Sequence, residues 1–249
     1  MIIDSHCHAG AGFGLRDPWT GQPLFERYLR RASAAGITHS ALFANFNDDY
    51  AQANRAVARL VASNRRRFFG LAYIHTERDR GRVFDMIRIA VECYGFVGIK
   101  VHRHDARISR ELCEAARAFA LPVLYDVETE LGVLDTLTRD FPDLPFIVPH
   151  LSSFAENWRS QTAFLDRLQA HDNLYTDSSG VRFFDLLARV VEHCGPRKLL
   201  FGSDGPWLHP GVELTKIKAL GLSPADEALV LGGNFLRLIG AGFERFAAA

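Results

Sequence analysis

The chain has 249 residues, of which 48% are hydrophobic and 23% are charged, and its 29 basic and 29 acidic residues give a formal net charge of zero. These fractions are ordinary for a globular protein and exclude a disordered or fibrous chain. Zero net charge argues against a general binder of nucleic acid, because that affinity requires clustered cationic side chains. The length fits one α/β barrel or two small domains.

The cysteines and the N-terminus indicate a compartment. Cys7, Cys93, Cys113 and Cys194 are scattered and form no CxxC pair, so we expect reduced thiols. No stretch reaches the roughly 18–20 uninterrupted apolar residues of a membrane helix. The first residues also lack the charged and apolar regions of a signal peptide. We therefore expect a cytoplasmic protein that binds no membrane.

Strand and helix patterns alternate along the chain. Eight short apolar runs predict strands over Ile2–His8, Ser40–Phe46, Phe68–His75, Val97–Arg103, Pro122–Val127, Phe146–His150, Leu174–Ser178 and Leu199–Asp204. The segments between them predict helices over Leu24–Ala35, Tyr50–Ser63, Arg80–Cys93, Ser109–Ala120, Leu131–Phe141, Glu156–Ala170 and Phe183–His193. A last helix is predicted over Pro224–Ile239, with Ser223 as its N-cap.

This alternation indicates right-handed βαβ units and a parallel sheet. Eight such units in about 250 residues match the size of a closed barrel. We therefore predict an α/β fold, a (β/α)8 TIM barrel that forms a single domain over residues 1–249, and an open doubly wound sheet is the alternative. The Gly-rich loop Ala9–Pro23 is a candidate lid.

Metal-ligand types of residue lie at the ends of the first and last strands. Active sites of parallel barrels form at the C-terminal ends of the strands. His6 and His8 are two apart, share one face of the first strand and could bind one metal ion through two imidazoles. Asp204 ends the predicted eighth strand, where its alternative role is helix capping or turn formation.

The fourth strand places Lys100 and His102 on one face. A cation that points into a barrel needs an anionic partner. The candidates are Asp126 or Asp177 on other strands, a substrate carboxylate, or a carbamate on Lys100 itself. A structural salt bridge is the alternative interpretation of Lys100.

The fifth and sixth strands end near Asp126 and His150. By alternation Asp126 and Glu128 share one face, and Val148 and His150 share another. His150 could be a metal ligand, a general base or a residue that supports the ligands, and a core histidine with satisfied hydrogen bonds is the alternative. Because comparable residues end the other strands, we favour a functional role.

Seven segments resemble, in chain order, the amidohydrolase superfamily. The closest branch is the metal-dependent barrel hydrolases that also include aminocarboxymuconate-semialdehyde decarboxylase. The segments are IIDSHCH (Ile2–His8), GIKVH (Gly98–His102), LPVLYD (Leu121–Asp126), FPDLPFIVPHLS (Phe141–Ser152), NLYTDSSG (Asn173–Gly180), LLFGSDGPW (Leu199–Trp207) and GGNFLRLIG (Gly232–Gly240).

The resemblance implies a distorted TIM barrel that holds one divalent metal ion, usually zinc. His6 and His8 look like the paired first-strand ligands. Asp204 looks like the eighth-strand aspartate that binds the metal and takes a proton from the attacking water. His150 matches the sixth-strand histidine that polarises the substrate or relays a proton.

One position departs from the family pattern. The family usually ends its fifth strand with a histidine ligand, and Asp126 stands there in this chain. A carboxylate can bind zinc, but it is a harder and more anionic ligand than imidazole. Asp126 therefore leaves three outcomes open: zinc retained, a preference shifted toward manganese, or a weakened site.

These residues predict a metal-dependent hydrolase that cleaves an ester, lactone or amide of a small organic acid with metal-activated water. Asp204 would accept the proton, and His150 or Lys100 would stabilise the oxyanion. Arg103 and Arg182 follow strand ends and are either carboxylate clamps or surface charges. The predicted substrate contacts are His102, Arg103, Asp177 and Arg182.

Three alternatives stay open. The same site could catalyse non-oxidative decarboxylation of an unsaturated or aromatic acid. The metal site could have decayed to a binding or structural role, and this hypothesis rests on Asp126 at the position of the usual histidine ligand. A carboxylated Lys100 could bridge two metal ions. The 19 phenylalanines are consistent with a homodimer face and equally with a large core.

Overall fold

The chain is described by a computed structural model that covers residues 1–154 and 157–240. Its eight strands are parallel and pair in chain order. They are β1 (Ile3–His8), β2 (His39–Phe43), β3 (Phe68–Tyr73), β4 (Gly98–His102), β5 (Val123–Asp126), β6 (Phe146–Val148), β7 (Leu174–Asp177) and β8 (Leu199–Leu200).

The barrel closes between β1 and the segment that follows β8. The Ser5 amide donates to the Phe201 carbonyl oxygen at 3.0 Å, and the His8 amide donates to the Gly205 carbonyl oxygen at 2.6 Å. Cys7 forms a parallel bridge with Gly205. These bonds confirm the predicted (β/α)8 TIM barrel and exclude the open sheet, in which first and last strands do not meet.

Helices surround the strands. Those of the described residues are α1 (Leu24–Ala34), α2 (Tyr50–Ser63), α3 (Val83–Glu92), α4 (Arg110–Ala118), α5 (Gly132–Asp140), α6 (Trp158–Ala170), α7 (Phe184–Arg189), α8 (Pro210–Ala219), α9 (Pro224–Ala228) and α10 (Asn234–Ile239). A π-helical turn, Val190–Cys194, extends α7. Helix α8 was not predicted from the sequence, although His209 caps it and Pro210 occupies its first turn.

Several predicted strands extend past their observed ends: Ser40–Phe46 ends at Phe43 and Phe68–His75 ends at Tyr73. Two further overruns involve residues of the predicted site. β6 ends at Val148 and β8 ends at Leu200, so His150 and Asp204 lie in turns. Their φ angles, 59° and 53°, belong to the left-handed region, which cannot continue a strand. The prediction that Val148 and His150 share a strand face is therefore wrong, because the turn after β6 reorients His150.

Two helix predictions also need correction. The predicted helix Pro224–Ile239 is interrupted between α9 and α10 by a π-helical turn over Leu229–Gly233, although its predicted N-cap, Ser223, is confirmed. α6 begins at Trp158, and the predicted start at Glu156 lies outside the described residues. The last nine residues of the predicted domain, 241–249, also lie outside them.

All four cysteines are within the described ranges, and all four are free thiols. Across those same ranges, no helix combines the length and the apolar character needed to cross a membrane.

Asn54 of α2 fixes the end of β3, next to the strand that carries Lys100. Its side chain donates to the Tyr73 carbonyl oxygen and accepts from the Tyr73 amide, both at 2.9 Å. Because Asn54→Ala leaves two buried backbone groups without partners, we expect it to lower the free energy of unfolding by about 3 kcal/mol. Urea unfolding measures this loss. Gln52→Ala, exposed on the same helix, is the control, and a similar loss there would contradict the assignment.

Candidate metal centre

A cavity of about 260 Å³ opens at the C-terminal ends of the strands. Its lining combines imidazoles, carboxylates, one amine and aromatic rings. The lining residues are His6, His8, Asn45, Phe46, Lys100, His102, Asp126, His150, Phe154, Asp204 and Trp207. Seven of the predicted site residues are in this list.

The Nδ1 atoms of His6 and His8 both face acceptors. His8 Nδ1 lies 2.9 Å from the carbonyl oxygen of Ala44, and His6 Nδ1 lies 2.8 Å from the carboxylate of Asp177. Because those oxygens accept, each Nδ1 carries the proton, and each neutral ring presents a lone pair at Nε2. Burial lowers the pKa of both histidines, that of His8 to about 4, so both rings are neutral at neutral pH.

The two Nε2 atoms and Asp204 converge. Each Nε2 lies 3.5 Å from Asp204 Oδ1, and the three ligand atoms lie within 4.8 Å of one another. Two ligands about 2.1 Å from a tetrahedral ion are about 3.4 Å apart. Because both rings carry their proton on Nδ1, neither Nε2 can donate a hydrogen bond to Asp204. Two nitrogen lone pairs and a carboxylate oxygen that face one another fit a divalent cation.

Gly202 lets the segment after β8 approach this cluster. A Cβ atom there would lie 3.0 Å from the Cβ of His6 and 3.1 Å from the Cγ of Asp177. Two residues later, the left-handed backbone of Asp204 brings its carboxylate to the histidines. Burial would raise the pKa of Asp204, but the imidazoles of His8 and His6 hold it below its ordinary value. Asp204 is therefore ionised at neutral pH.

Asp177 supports His6 from inside the protein. Its side chain is fully buried, so it accepts from His6 while remaining away from the cavity surface. Burial would raise the pKa of Asp177, but His6 and the hydroxyl of Ser179 lower it overall. An ionised partner fixes the His6 ring and makes its Nε2 a stronger ligand. The structure thus places the predicted substrate contact Asp177 behind a predicted metal ligand.

The ring nitrogens of His150 have the same hydrogen-bonding pattern as those of His6 and His8. Its Nδ1 lies 2.6 Å from the carbonyl oxygen of Ser179, so Nδ1 donates and Nε2 faces the cavity. Nε2 lies 3.7 Å from Asp126 Oδ2. Its ring centroid is 5.0 Å from that of His6. His150 can therefore exchange a proton with a bound molecule through Nε2.

His102 has the opposite tautomer. Its Nδ1 accepts from the amide of His104 at 3.1 Å, so Nε2 carries the proton and donates to Asp126 Oδ2 at 3.2 Å. The other carboxylate oxygen of Asp126 accepts from the amide of Glu128. Burial would raise the pKa of Asp126, but His102, Lys100 and His150 hold it well below the usual range. Asp126, a predicted ligand, is thus ionised and engaged by His102, and it is not part of the His6–His8–Asp204 cluster.

Lys100 is a buried cation beside several carboxylates. Its side chain is 1% exposed, and Nζ lies 5.3 Å from the ring centroid of Phe43. Burial lowers the pKa of Lys100, and the carboxylates of Asp126, Asp177 and Asp204 oppose that effect. Lys100 therefore partly balances the negative charge of the site.

Two predicted carboxylate clamps lie elsewhere. Arg103 is engaged with Glu130, with Nη2 donating to Oε1 at 2.7 Å. Arg182 is exposed, and neither arginine is among the residues that line the cavity. The loop Ala9–Pro23 does reach the cavity wall, since Trp207 Nε1 donates to the Gly14 carbonyl oxygen at 2.8 Å. Its role as a lid stays a prediction.

Three residues that support the site were not predicted from the sequence. Ser179 lies between His6, His150 and Asp177, and its hydroxyl donates to Asp177 at 2.5 Å. Glu213 of α8 accepts from the Gly180 amide at 3.0 Å, and Lys216 donates to the Val181 carbonyl oxygen at 3.0 Å. Glu213 and Lys216 also pair with each other. The capping signal of α8 could have revealed this pair.

Metal-free protein should lose stability in mild acid. The pKa of His8 is about 4 in the fold and about 6.5 in the unfolded chain, so between these values the unfolded chain binds more protons. Stability is fully present above pH 6.5 and falls as the pH drops toward 4, by about 3 kcal/mol from His8 alone. Urea unfolding of chelator-treated protein at pH 7 and 4.5 measures this change. His8→Asn should reduce it, and an equal loss in that variant would contradict the assignment.

Comparison with known families decides the classification. The sequence model described as amidohydrolase matches residues 3–241. The chain belongs to the amidohydrolase family. Members of this family are enzymes, hydrolases or decarboxylases, that use a divalent metal ion. The sequence has no significant match among curated proteins.

Solved structures similar to this amidohydrolase include both kinds of enzyme. The 5-carboxyvanillate decarboxylase of Sphingomonas paucimobilis is 15% identical, with a TM-score of 0.74, over 96% of this chain and 98% of that chain. A dihydroxybenzoic acid decarboxylase of Polaromonas sp. JS666 with bound manganese is 16% identical, with a TM-score of 0.70, over 96% of each chain.

A third similar structure is described as a probable 2-pyrone-4,6-dicarboxylic acid hydrolase of Acinetobacter baumannii. It is 14% identical, with a TM-score of 0.72, over 96% of this chain and 99% of that chain. At these identities the three likenesses show the fold alone, so the reaction has to be inferred from the site itself.

Proposed function

We propose that this amidohydrolase is a metal-dependent hydrolase that cleaves an ester, lactone or amide bond of a small organic acid. The observation that carries the proposal is the convergence of the His6 and His8 lone pairs on an ionised Asp204 at the wall of an open cavity. A divalent ion held there would supply Lewis acidity and lower the pKa of water. Zinc is the proposed ion because it accepts two imidazoles and one carboxylate, and manganese is the alternative.

The side chains of the site can divide the remaining work. Asp204 accepts a proton from water and returns it to the leaving group, since its carboxylate is ionised and 8% exposed. The ammonium of Lys100 would stabilise negative charge that develops on the carbonyl oxygen, while His150, whose Nε2 carries the lone pair, would accept or relay a proton. His102 and Asp126 form a fixed pair that shapes the wall opposite the first-strand histidines. Arg103 and Arg182 stay outside this scheme, and we propose a cytoplasmic location.

A second candidate is non-oxidative decarboxylation of an aromatic or unsaturated acid. Three aromatic residues of the cavity wall, Phe46, Phe154 and Trp207, favour it because they can pack against a planar ring. Two of the proteins with similar folds are decarboxylases. Lys100 and His102 would then face the carboxylate of the acid.

A product assay distinguishes the two reactions. Protein loaded with zinc or manganese is incubated in ¹⁸O-water with lactones, esters and amides, among them 2-pyrone-4,6-dicarboxylate, and with dihydroxybenzoates. Hydrolysis predicts one ¹⁸O atom in the new carboxylate and no carbon dioxide. Release of carbon dioxide without incorporation of ¹⁸O would overturn hydrolysis in favour of decarboxylation.

A further inference from the structure

Helices α2 and α3 border a groove on the outside of the barrel. Its wider lobe has a volume of about 310 Å³ and lies beside Arg55 and Arg59 of α2, Arg65 of the loop after α2, and Tyr94 of the loop after α3. A narrower lobe of about 50 Å³ continues along the two helices. We call this surface the α2–α3 groove. It shares no lining residue of the described ranges with the metal-centre cavity.

Small side chains on one face of α2 make room for the wide lobe. Ala58, Arg59 and Ala62 follow Arg55 by three, four and seven residues, so all four lie on the same side of the helix. The two alanines leave the space that a longer side chain would fill. The wide lobe therefore has methyl groups along α2 and guanidinium groups beside them.

The guanidinium groups of the wide lobe are not neutralised within the described part of the chain. There, Arg55, Arg59 and Arg65 are exposed and form neither an ion pair nor a side-chain hydrogen bond. Glu92, the last residue of α3, pairs with Arg88 of its own helix, with 3.4 Å between Nη1 and Oε2. Three cations beside one concave surface attract an anion into it. The groove therefore has the charge of an anion-binding site.

The narrow lobe is mostly apolar. Ala51 of α2 and Met86 and Ile89 of α3 line it, and Ile89 is 37% exposed. Arg55 and Tyr94 line both lobes, so the cationic and apolar parts are continuous. A ligand of this groove can therefore place an anionic group among the arginines and an apolar or planar body against Tyr94.

We propose that the α2–α3 groove binds a phosphate monoester with a planar body, such as a nucleoside monophosphate. Phosphate fits three guanidinium groups better than a carboxylate does, because it carries a charge of about −1.5 to −2 and three acceptor oxygens. A base can stack on the ring of Tyr94. The volume of the wide lobe is in the range of small-molecule sites, roughly 300–1,000 Å³. The zero net charge of the chain disfavours an extended polyanion.

Calorimetric titration of the purified, metal-loaded chain with AMP tests the proposal. AMP should bind with a dissociation constant below about 1 mM, and adenosine and inorganic phosphate should each bind about tenfold more weakly or worse. Arg55→Ala and Arg59→Ala should each raise the constant for AMP about tenfold, because each removes charged hydrogen-bond donors. Arg189→Ala removes an exposed arginine of α7 and is the control, for which the constant should not change.

Cys93 shows whether AMP occupies this groove, because it lines the wide lobe. Cys93 is exposed, Cys194 is partly buried, and Cys7 and Cys113 are buried. Saturating AMP should slow the alkylation of Cys93 by the neutral reagent N-ethylmaleimide severalfold and leave that of Cys194 unchanged, as measured by peptide mass spectrometry. The same AMP concentration should protect Cys93 much less in Arg59→Ala.

Four results would overturn the proposal: no binding of AMP, equal binding of AMP by Arg59→Ala and wild type, inorganic phosphate bound as tightly as AMP, or a single-stranded oligonucleotide bound more tightly than AMP. Equal binding by the variant would mean that the phosphate lies elsewhere, such as at the metal centre. Circular dichroism establishes that each variant is folded. None of these measurements depends on the reaction, so the proposed hydrolase activity can fail while this site stands.

Discussion

Asp204→Asn is expected to lower kcat about a thousandfold, with a much smaller change in KM. Asparagine keeps the size of the side chain and one oxygen that can face the cation, but an amide cannot accept a proton at neutral pH. The site would therefore keep its shape and lose its base. The measurement is steady-state kinetics on the substrate that the product assay identifies, with the metal content of each sample determined by elemental analysis.

Asp166→Asn is the matched control, because it makes the same chemical change at an exposed position of α6. Its kcat should equal that of wild type. An Asp204→Asn variant within about threefold of wild type would show that another group takes the proton. If the purified protein also held no metal, the result would support the alternative hypothesis that the site has decayed and is not catalytic.

Asp177→Asn should weaken metal binding about 10- to 100-fold, although Asp177 does not face the cavity. The ionised carboxylate holds the proton of His6 on Nδ1 and the lone pair on Nε2. A neutral amide fixes this orientation less firmly and donates no charge to the ring. Competition against a chromophoric chelator measures the dissociation constant of zinc for each protein.

Asp172→Asn, exposed in the loop before β7, controls for the loss of one negative charge. The zinc dissociation constant of Asp177→Asn should exceed that of Asp172→Asn by the same factor of about 10 to 100. Equal affinities would mean that His6 does not bind the ion, and the cluster would then have to be reconsidered from His8 and Asp204 alone.

The first-strand histidines were predictable because a strand alternates its side chains with a period of two. His6 and His8 must share a face wherever the strand lies, and the barrel places that face at the C-terminal mouth. The fold was predictable for a related reason, since eight apolar runs separated by amphipathic segments have few parallel arrangements.

The approach of His150 and Asp204 to the cavity was predictable only in part. Their place after β6 and β8 follows from the order of the elements, but the left-handed turns that aim them do not. Neither residue is a glycine, so the sequence carries only a weak conformational signal here: Asp and His adopt a positive φ more often than most residues, but still uncommonly. Hydrogen bonds from residues distant in the sequence hold the turn after β6: the His150 amide donates to Asp177, and the Gln161 side chain donates to the His150 carbonyl oxygen.

The supporting hydrogen bonds were beyond sequence reasoning. Which nitrogen of each histidine donates depends on the acceptor that the fold brings to it, such as the Ala44 or Ser179 carbonyl oxygen. The partner of Asp126 was equally unpredictable. Its residue type and position indicated a metal ligand, but the fold places its carboxylate against His102. Motifs identify residues of a site, and only coordinates assign their tautomers.

Anomalous diffraction from crystals grown with zinc or manganese tests the metal centre most directly. We expect one peak per chain, about 2.0–2.2 Å from the Nε2 atoms of His6 and His8 and from a carboxylate oxygen of Asp204. A cavity without a peak, or an ion held by Asp126 and His102 away from the first-strand histidines, would contradict it.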